Sequence, residues 1–175
     1  MRRRCTLAAA LLLAGASPAA LAEPPPPAPP LGQAPTQYPD GAATFKANCA
    51  VCHGPAGNGV PSLAPPLTHY PAVYATHPEG RQQLAMMVLF GMFGDVTVDG
   101  QKYNFKMPDF ARFSDEQLAG VLNYVAFDLG ATAPLPDGAQ RVPLAPADVA
   151  ALREPRLSGE QVRAHRGSLL PQVGL

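Results

Sequence analysis

The most regular pattern of apolar and polar positions lies in residues 114–128. Apolar side chains recur there every three or four residues, a spacing that brings them onto one helical face: Leu118, Val121, Leu122 and Val125. Ser114 and Gln117 fit a capping box at the start of the segment, and Gly130 can end it. The pattern therefore predicts an amphipathic helix over 114–128.

Weaker patterns predict further elements before this helix. Asp40 can cap a short helix whose apolar side includes Phe45. Residues 80–93 repeat apolar positions at helical spacing and predict a second helix. The intervening residues 54–78 are rich in Gly and Pro, which predicts mostly loop.

Two kinds of element are predicted outside these helices. Residues 96–103 read as a small β-hairpin, because an Asp-Gly pair in their middle suits a two-residue turn with positive φ at both positions. Residues 131–175 form a tail with two short helical stretches, 146–153 and 158–166. Neither stretch is long enough to be stable alone, so we expect both to pack on the preceding domain or to order against a partner.

The first 22 residues are predicted to be a secretory signal peptide. Three arginines at positions 2–4 precede the apolar run Leu7–Leu13, and Ala20-Leu21-Ala22 has the small-x-small form that signal peptidase cuts. The apolar run is too short to span a bilayer. We expect cleavage before Glu23, export to the periplasm and no transmembrane segment in the mature chain. An uncleaved N-terminal anchor is the alternative.

The mature chain is predicted to have three parts. Residues 23–39 are so rich in proline that they cannot pack a core, and they predict a semi-rigid polyproline leader or a disordered one. Residues 40–130 contain the helix and hairpin patterns and are expected to form the folded domain. Residues 131–175 are the tail.

Charge and cysteine content exclude several classes of protein. The formal net charge of the whole chain is zero at pH 7, without a long run of like charges, so nothing indicates nucleic acid or an anionic membrane as a partner. Removal of the signal peptide takes Cys5 with it and leaves only Cys49 and Cys52. Two cysteines separated by two residues do not make a disulfide scaffold.

These two cysteines belong to the motif C-x-x-C-H, which ends at His53. Two thiols at this spacing can add to the two vinyl groups of a haem, and the adjoining histidine then reaches the iron. Three other interpretations are disfavoured: a thioredoxin-like pair lacks a βαβ setting, a zinc site lacks a second C-x-x-C or an H-x-x-x-H, and a disulfide at this spacing is strained. The motif therefore predicts one covalently bound haem c, with His53 as an axial iron ligand.

A low-spin haem needs a second axial ligand, and Met107 is the predicted one. It lies between the hairpin and the last helix, where a loop stiffened by Pro108 can bring its thioether over the open face of the haem. Met92, with glycines nearby, is the alternative, whereas Met86 and Met87 lie in an apolar helix where methionine usually fills the core. The remaining histidines are expected to be solvated loop or tail residues: His69, His77 and His165.

Together these segments resemble the class I cytochrome c family. The shared features are a helix that runs into C-x-x-C-H, a Pro-rich loop, a middle helix, a Met-Pro-x-Phe loop and a C-terminal helix, over about residues 41–130. The resemblance implies an all-α fold of a few helices around one covalent haem, here with the small β-hairpin as an insertion. It also implies that the first and last helices cross near Gly41 and Phe45, and that the Pro65 carbonyl accepts the Nδ1–H of His53.

The resemblance further implies transfer of single electrons between redox proteins, rather than catalysis. It favours a periplasmic carrier with a His/Met-ligated haem, whose partners would be a dehydrogenase, a reductase or an oxidase. Two alternatives stay open: a haem c subunit docked on a dehydrogenase or oxidase through the leader or tail, and a haem enzyme or gas sensor with an open sixth position. Tyr103 or Arg81 is a candidate to bond a haem propionate, although a plain surface role is favoured for each.

Overall fold

The computed structural model describes residues 35–104 and 106–175, so the predicted signal peptide and most of the predicted leader lie outside the described residues. In chain order the elements are α1 (Pro39–Asn48), α2 (Ala50–His53), α3 (Tyr70–Tyr74), α4 (Pro78–Phe90), β1 (Val96–Val98), β2 (Gln101–Tyr103), α5 (Asp115–Asn123), a π-helical turn (Tyr124–Leu129), α6 (Pro146–Ala150), α7 (Gly159–Leu169) and a 3₁₀ turn (Leu170–Val173). No helix in this part of the chain is both long and apolar enough to cross a membrane.

Helix α1 crosses α5 and the π-helical turn at very close range. A Cβ atom built on Gly41 would overlap the Gly120 carbonyl oxygen, so glycine alone fits at this position. One turn farther along α1, the buried Phe45 ring packs on Tyr124 with ring centroids 5.5 Å apart, and it also contacts Val121. The predicted contact between the first and last helices is therefore confirmed, and it fixes the end of α1, where the C-x-x-C-H motif begins.

The start of α1 differs from the prediction. The helix begins at Pro39, and Asp40 lies in its first turn instead of capping it. The Asp128 carboxylate accepts hydrogen bonds from the backbone N–H groups of Gln37 (2.8 Å) and Tyr38 (3.0 Å), just before the helix. The prediction of an Asp40 cap is therefore wrong. The actual acceptor, Asp128, is about 90 residues away in the sequence. It lies beside the start of α1 only because α1 crosses α5 and the π-helical turn.

The middle of the chain also departs from the predicted bounds. Helix α4 ends at Phe90, not at residue 93, because Gly91 adopts a φ of 72° that terminates the helix. The short helix α3 lies within residues 54–78, for which mostly loop was expected. Its proline stands in the first turn, where the missing N–H costs nothing, so proline starts this helix and does not break it.

The hairpin agrees with its prediction in register and in turn chemistry. Strands β1 and β2 pair antiparallel, with Val96 opposite Tyr103. Asp99 and Gly100 have φ values of 50° and 78°, the positive values that a tight two-residue hairpin turn requires. The hairpin is therefore specified by local sequence alone.

Residues 131–175 pack on the preceding helices, with α6 against α5 and α7 against α4. Four of their apolar side chains are buried in the main core: Leu144, Val149, Leu169 and Val173. Asn123 of α5 joins the two regions, since its side chain accepts from the Leu144 N–H (2.8 Å) and donates to the Leu144 carbonyl (2.9 Å). Of the two expectations for the short helices, packing on the preceding domain is therefore the one that the fold realises.

Candidate cofactor site

One large cavity lies among α1, α3, α4, α5, the hairpin and the loop that contains Met107. The space between these elements is about 1320 Å³ when the open solvent at its mouth is included. Most of its wall is apolar and includes Phe45, Leu84, Val88 and Leu122. A large apolar cavity with a few polar groups is the usual form of a cofactor site.

The C-x-x-C-H motif folds as one helical turn on the cavity wall. The backbone N–H groups of Cys52 and His53 both donate to the Cys49 carbonyl, at 3.1 Å and 3.0 Å, and Gly54 with a φ of 77° ends the turn. Since residues three or four positions apart share a helical face, both cysteines and the histidine line the same cavity. Both cysteines are free thiols, the form that can add to a vinyl group. The donor set therefore fits a covalent haem.

The His53 ring is oriented by the loop that follows it. Its Nδ1 lies 2.9 Å from the Pro65 carbonyl oxygen. Because a carbonyl can only accept, Nδ1 carries the proton and Nε2 keeps its lone pair for a metal ion. Burial lowers the pKa of His53, against the opposing effect of this hydrogen bond, and so favours the neutral ring. The contact is the one that the family resemblance implied for Pro65.

Burial sets the protonation state of the Cys49 thiol. Burial, together with the neighbouring Cys52, raises the pKa of the Cys49 thiol to about 11. The thiol is therefore protonated at neutral pH, and no disulfide joins it to its neighbour. The cavity lining therefore disfavours charged groups, and such a lining suits the large apolar ring of a haem.

Met107 is anchored at the same cavity by backbone hydrogen bonds to Met92. The Met92 N–H donates to the Met107 carbonyl (3.1 Å), and the Met107 N–H donates to the Met92 carbonyl (2.8 Å). A Cβ atom on Gly91 would lie 2.5 Å from the Met107 carbonyl oxygen, so this approach requires glycine. Met107, Met92 and Met87 all line the cavity, whereas the buried Met86 does not. The structure thus brings both predicted candidates for the second ligand to the site.

The other histidines do not line the cavity. The Nδ1 of His77 lies 2.7 Å from the Thr76 hydroxyl, and the Nδ1 of His165 lies 2.6 Å from the Gln83 side-chain oxygen. His69 stacks edge-on against Tyr70. Of the two residues considered for a propionate, Tyr103 lines the cavity, and Arg81 lines a separate one between α4 and α6.

Sequence reasoning did not single out two polar residues of the cavity wall, Tyr74 and Arg166. For Arg166 a signal was present. It lies on the apolar face of α7, four residues after the buried Val162 and three before the buried Leu169. A charged residue on the buried face of an amphipathic helix is uncommon and indicates a partner inside the protein.

Known proteins resemble this chain over the same residues. A family model described as cytochrome c matches residues 38–126. One cytochrome c-552 of Thermus thermophilus is 37% identical over 143 residues, which cover 79% of this chain and 91% of that protein. A second cytochrome c-552 of the same organism is 38% identical over 134 residues, 74% of this chain and 96% of that protein.

A further similar protein belongs to a larger assembly. It is the cytochrome c subunit of the alcohol dehydrogenase (quinone) of Gluconobacter oxydans, 35% identical over 95 residues. The match covers 54% of this chain and 19% of that subunit.

Proposed function

This chain belongs to the cytochrome c family, and we propose that it is a diffusible periplasmic carrier whose haem iron is ligated by His53 and Met107. The family membership confirms the class I cytochrome c fold, one covalently bound haem c, electron transfer without catalysis, and redox proteins as the class of partner. The observation that carries the proposal is the shared cavity: His53, Met107 and both cysteines line one apolar space.

The residues of the chain would hold the haem and orient its iron ligands. We assign the two thioether bonds to Cys49 and Cys52, and the haem supplies a centre that takes up and releases one electron. The Pro65 carbonyl fixes the tautomer and direction of the His53 ring through the 2.9 Å hydrogen bond. Because the proposed iron ligands are held in place, the protein should change little in structure when the site gains or loses one electron.

Backbone contacts position Met107, the proposed second ligand. Two hydrogen bonds to Met92 and the close approach at Gly91 hold the Met107 main chain against the cavity. A thioether ligand favours Fe(II), and an apolar wall solvates additional positive charge poorly. We therefore expect a moderately positive reduction potential.

Export is supported by the predicted signal peptide, which lies outside the described residues. Covalent attachment of haem c in bacteria also takes place outside the cytoplasm. The mature chain would then meet its donor and acceptor in the periplasm, through small and transient interfaces at the haem edge.

The ligand assignment is tested by the optical spectrum of the mature holoprotein, oxidised and reduced. For wild type we expect a low-spin spectrum with a sulfur-to-iron charge-transfer band. Met107→Ala should lose that band and bind carbon monoxide, because the sixth position is then open. Met92→Ala is the matched control, since it removes a thioether from the same cavity and should keep the band.

Two results would contradict the assignment. Loss of the band in Met92→Ala, with retention in Met107→Ala, would transfer the ligand role to Met92. A wild-type protein that is high-spin or binds carbon monoxide readily would have an open sixth position, and catalysis or sensing would replace the carrier function.

A second candidate function is that of a docked haem c subunit. It is favoured by the similarity to the cytochrome c subunit of the Gluconobacter oxydans alcohol dehydrogenase. Purification from the native periplasm separates the two: a carrier elutes alone at the mass of one chain, and a docked subunit elutes with a dehydrogenase or oxidase activity.

A further inference from the structure

Arg166 is a buried cation without an ionic partner among the described residues. It lies on α7, beyond the residues that match the family model, and only 7% of its surface is exposed. The ion pairs formed within the described residues do not include it. Within the described residues, Arg166 Nη2 donates one long hydrogen bond, of 3.5 Å, to the carbonyl oxygen of Thr97 in the hairpin. Because an unpaired buried charge is costly, this environment indicates a missing anion.

The Arg166 side chain lines the haem cavity together with a second buried donor. Its guanidinium lies over the Tyr70 ring, 5.8 Å from the centroid. Tyr74, also on the cavity wall, is 2% exposed, and its hydroxyl has no hydrogen-bond partner among the described residues. Burial raises the pKa of Tyr74. The charge of Arg166 opposes that rise, as does the contact of its guanidinium with the hydroxyl, which lacks the geometry of a hydrogen bond. The hydroxyl therefore stays protonated and can donate.

We propose that Arg166 and the Tyr74 hydroxyl bind a propionate carboxylate of the haem, which makes helix α7 part of the haem site. A guanidinium and a hydroxyl suit a carboxylate, because both donate and the guanidinium adds charge. One carboxylate would pair the buried cation and satisfy the hydroxyl at once. The inference rests on the haem c of the family and is independent of which methionine ligates the iron.

Other cations of the chain fit this role less well. Lys106 lines the cavity but is exposed, with its ammonium 5.7 Å from the centre of the Phe93 ring, so water can solvate it. Arg81 lines a different cavity. Arg81 therefore provides a control that removes the same charge without touching the proposed contact.

The test uses mature holoproteins carrying Arg166→Gln, Tyr74→Phe or Arg81→Gln. Two quantities are measured: the midpoint potential by redox titration, and the propionate bending vibration by resonance Raman spectroscopy. For Arg166→Gln we expect the propionate vibration to shift and the midpoint potential to fall. At a fixed applied potential, the ratio of oxidised to reduced protein should rise about tenfold, which corresponds to a fall of about 59 mV. The potential falls because an uncompensated propionate charge near the iron stabilises the ferric state.

The two companion variants separate charge from hydrogen bonding. Tyr74→Phe should shift the vibration with a smaller change in potential, since it removes a donor but no charge. Arg81→Gln should leave both quantities at their wild-type values. If Arg166→Gln does not accumulate as holoprotein, Arg166→Lys replaces it and should shift the vibration while it keeps most of the potential.

The proposal is overturned if the propionate vibration is unchanged in both the Arg166 variant and Tyr74→Phe. An equal fall in potential for Arg81→Gln would also overturn it, because the effect would then come from net charge alone. The sulfur-to-iron band is recorded in the same samples. Its absence from wild type would refute Met107 as the ligand without bearing on Arg166.

Discussion

The region that matches the family, residues 38–126, and the C-terminal segment, residues 131–175, differ in what they contribute to the haem site. The first region provides the C-x-x-C-H turn and Met107, whereas the second provides no iron ligand candidate that lines the cavity. Burial does not follow this division, because Leu118 of α5 is 1% exposed and Leu169 of α7 is 2% exposed in the same core. The chemistry of the site is thus concentrated in one region while its support is shared by both.

The largest expected effect tests whether the two regions support the core equally. Leu118→Ala and Leu169→Ala should each lower the free energy of unfolding by about 2–5 kcal/mol, because each leaves a cavity in one packed cluster. Thermal or denaturant unfolding of the holoprotein measures both. A cost below about 0.5 kcal/mol for Leu169→Ala alone would show that the C-terminal segment is an appendage.

The crossing of α1 and α5 gives the next largest effect, and it is confined to the family region. Gly41→Ala should destabilise the fold by about 1–3 kcal/mol or more, since the added Cβ meets the Gly120 backbone. Gly120→Ala is the matched control, because its Cβ would lie 3.8 Å from the nearest atom of Gly41. Helix propensity should make that variant neutral or more stable by up to about 1 kcal/mol. Equal losses in the two variants would contradict the geometry of the crossing.

The smallest effect tests the hydrogen bonds between Asn123 and Leu144, which connect the two regions. Asn123→Ala leaves the buried N–H and carbonyl of Leu144 without partners, at a cost of about 1–3 kcal/mol. The change should also increase proteolysis or hydrogen exchange within residues 131–175 before the rest of the chain. Asn58→Ala, at an exposed position, should stay within about 0.5 kcal/mol of wild type. Unaltered exchange in Asn123→Ala would mean that apolar packing alone holds the segment.

Features that depend on neighbouring residues were predictable from the sequence. The Asp-Gly turn places the hairpin, and Ser114 with Gln117 forms the capping box of α5, with both reciprocal hydrogen bonds present. The predicted thioether cysteines, the iron ligands and the partner of the axial histidine also came from short motifs, and they line the cavity: Cys49, Cys52, His53, Met107 and Pro65. A motif keeps reactive groups at fixed spacing in the sequence. The bound cofactor and the residues that bind it can therefore be predicted before the fold is known.

Features that depend on distant residues were missed or misplaced. Asp128, and not Asp40, accepts the hydrogen bonds at the start of α1. The last helix changes to a π-helical turn at Tyr124, where it packs on Phe45. Neither feature has a local signal, because each arises where two segments far apart in the chain come into contact.

The sequence by itself determined the haem attachment motif, the methionine loop and the predicted export signal, since these depend on residue types at short spacing. Only the tertiary structure decided that α6 and α7 complete the core and that Arg166 is directed into the haem cavity. A short helix gains its stability and its orientation from the surface on which it packs. Its role in the site is therefore a property of the whole fold.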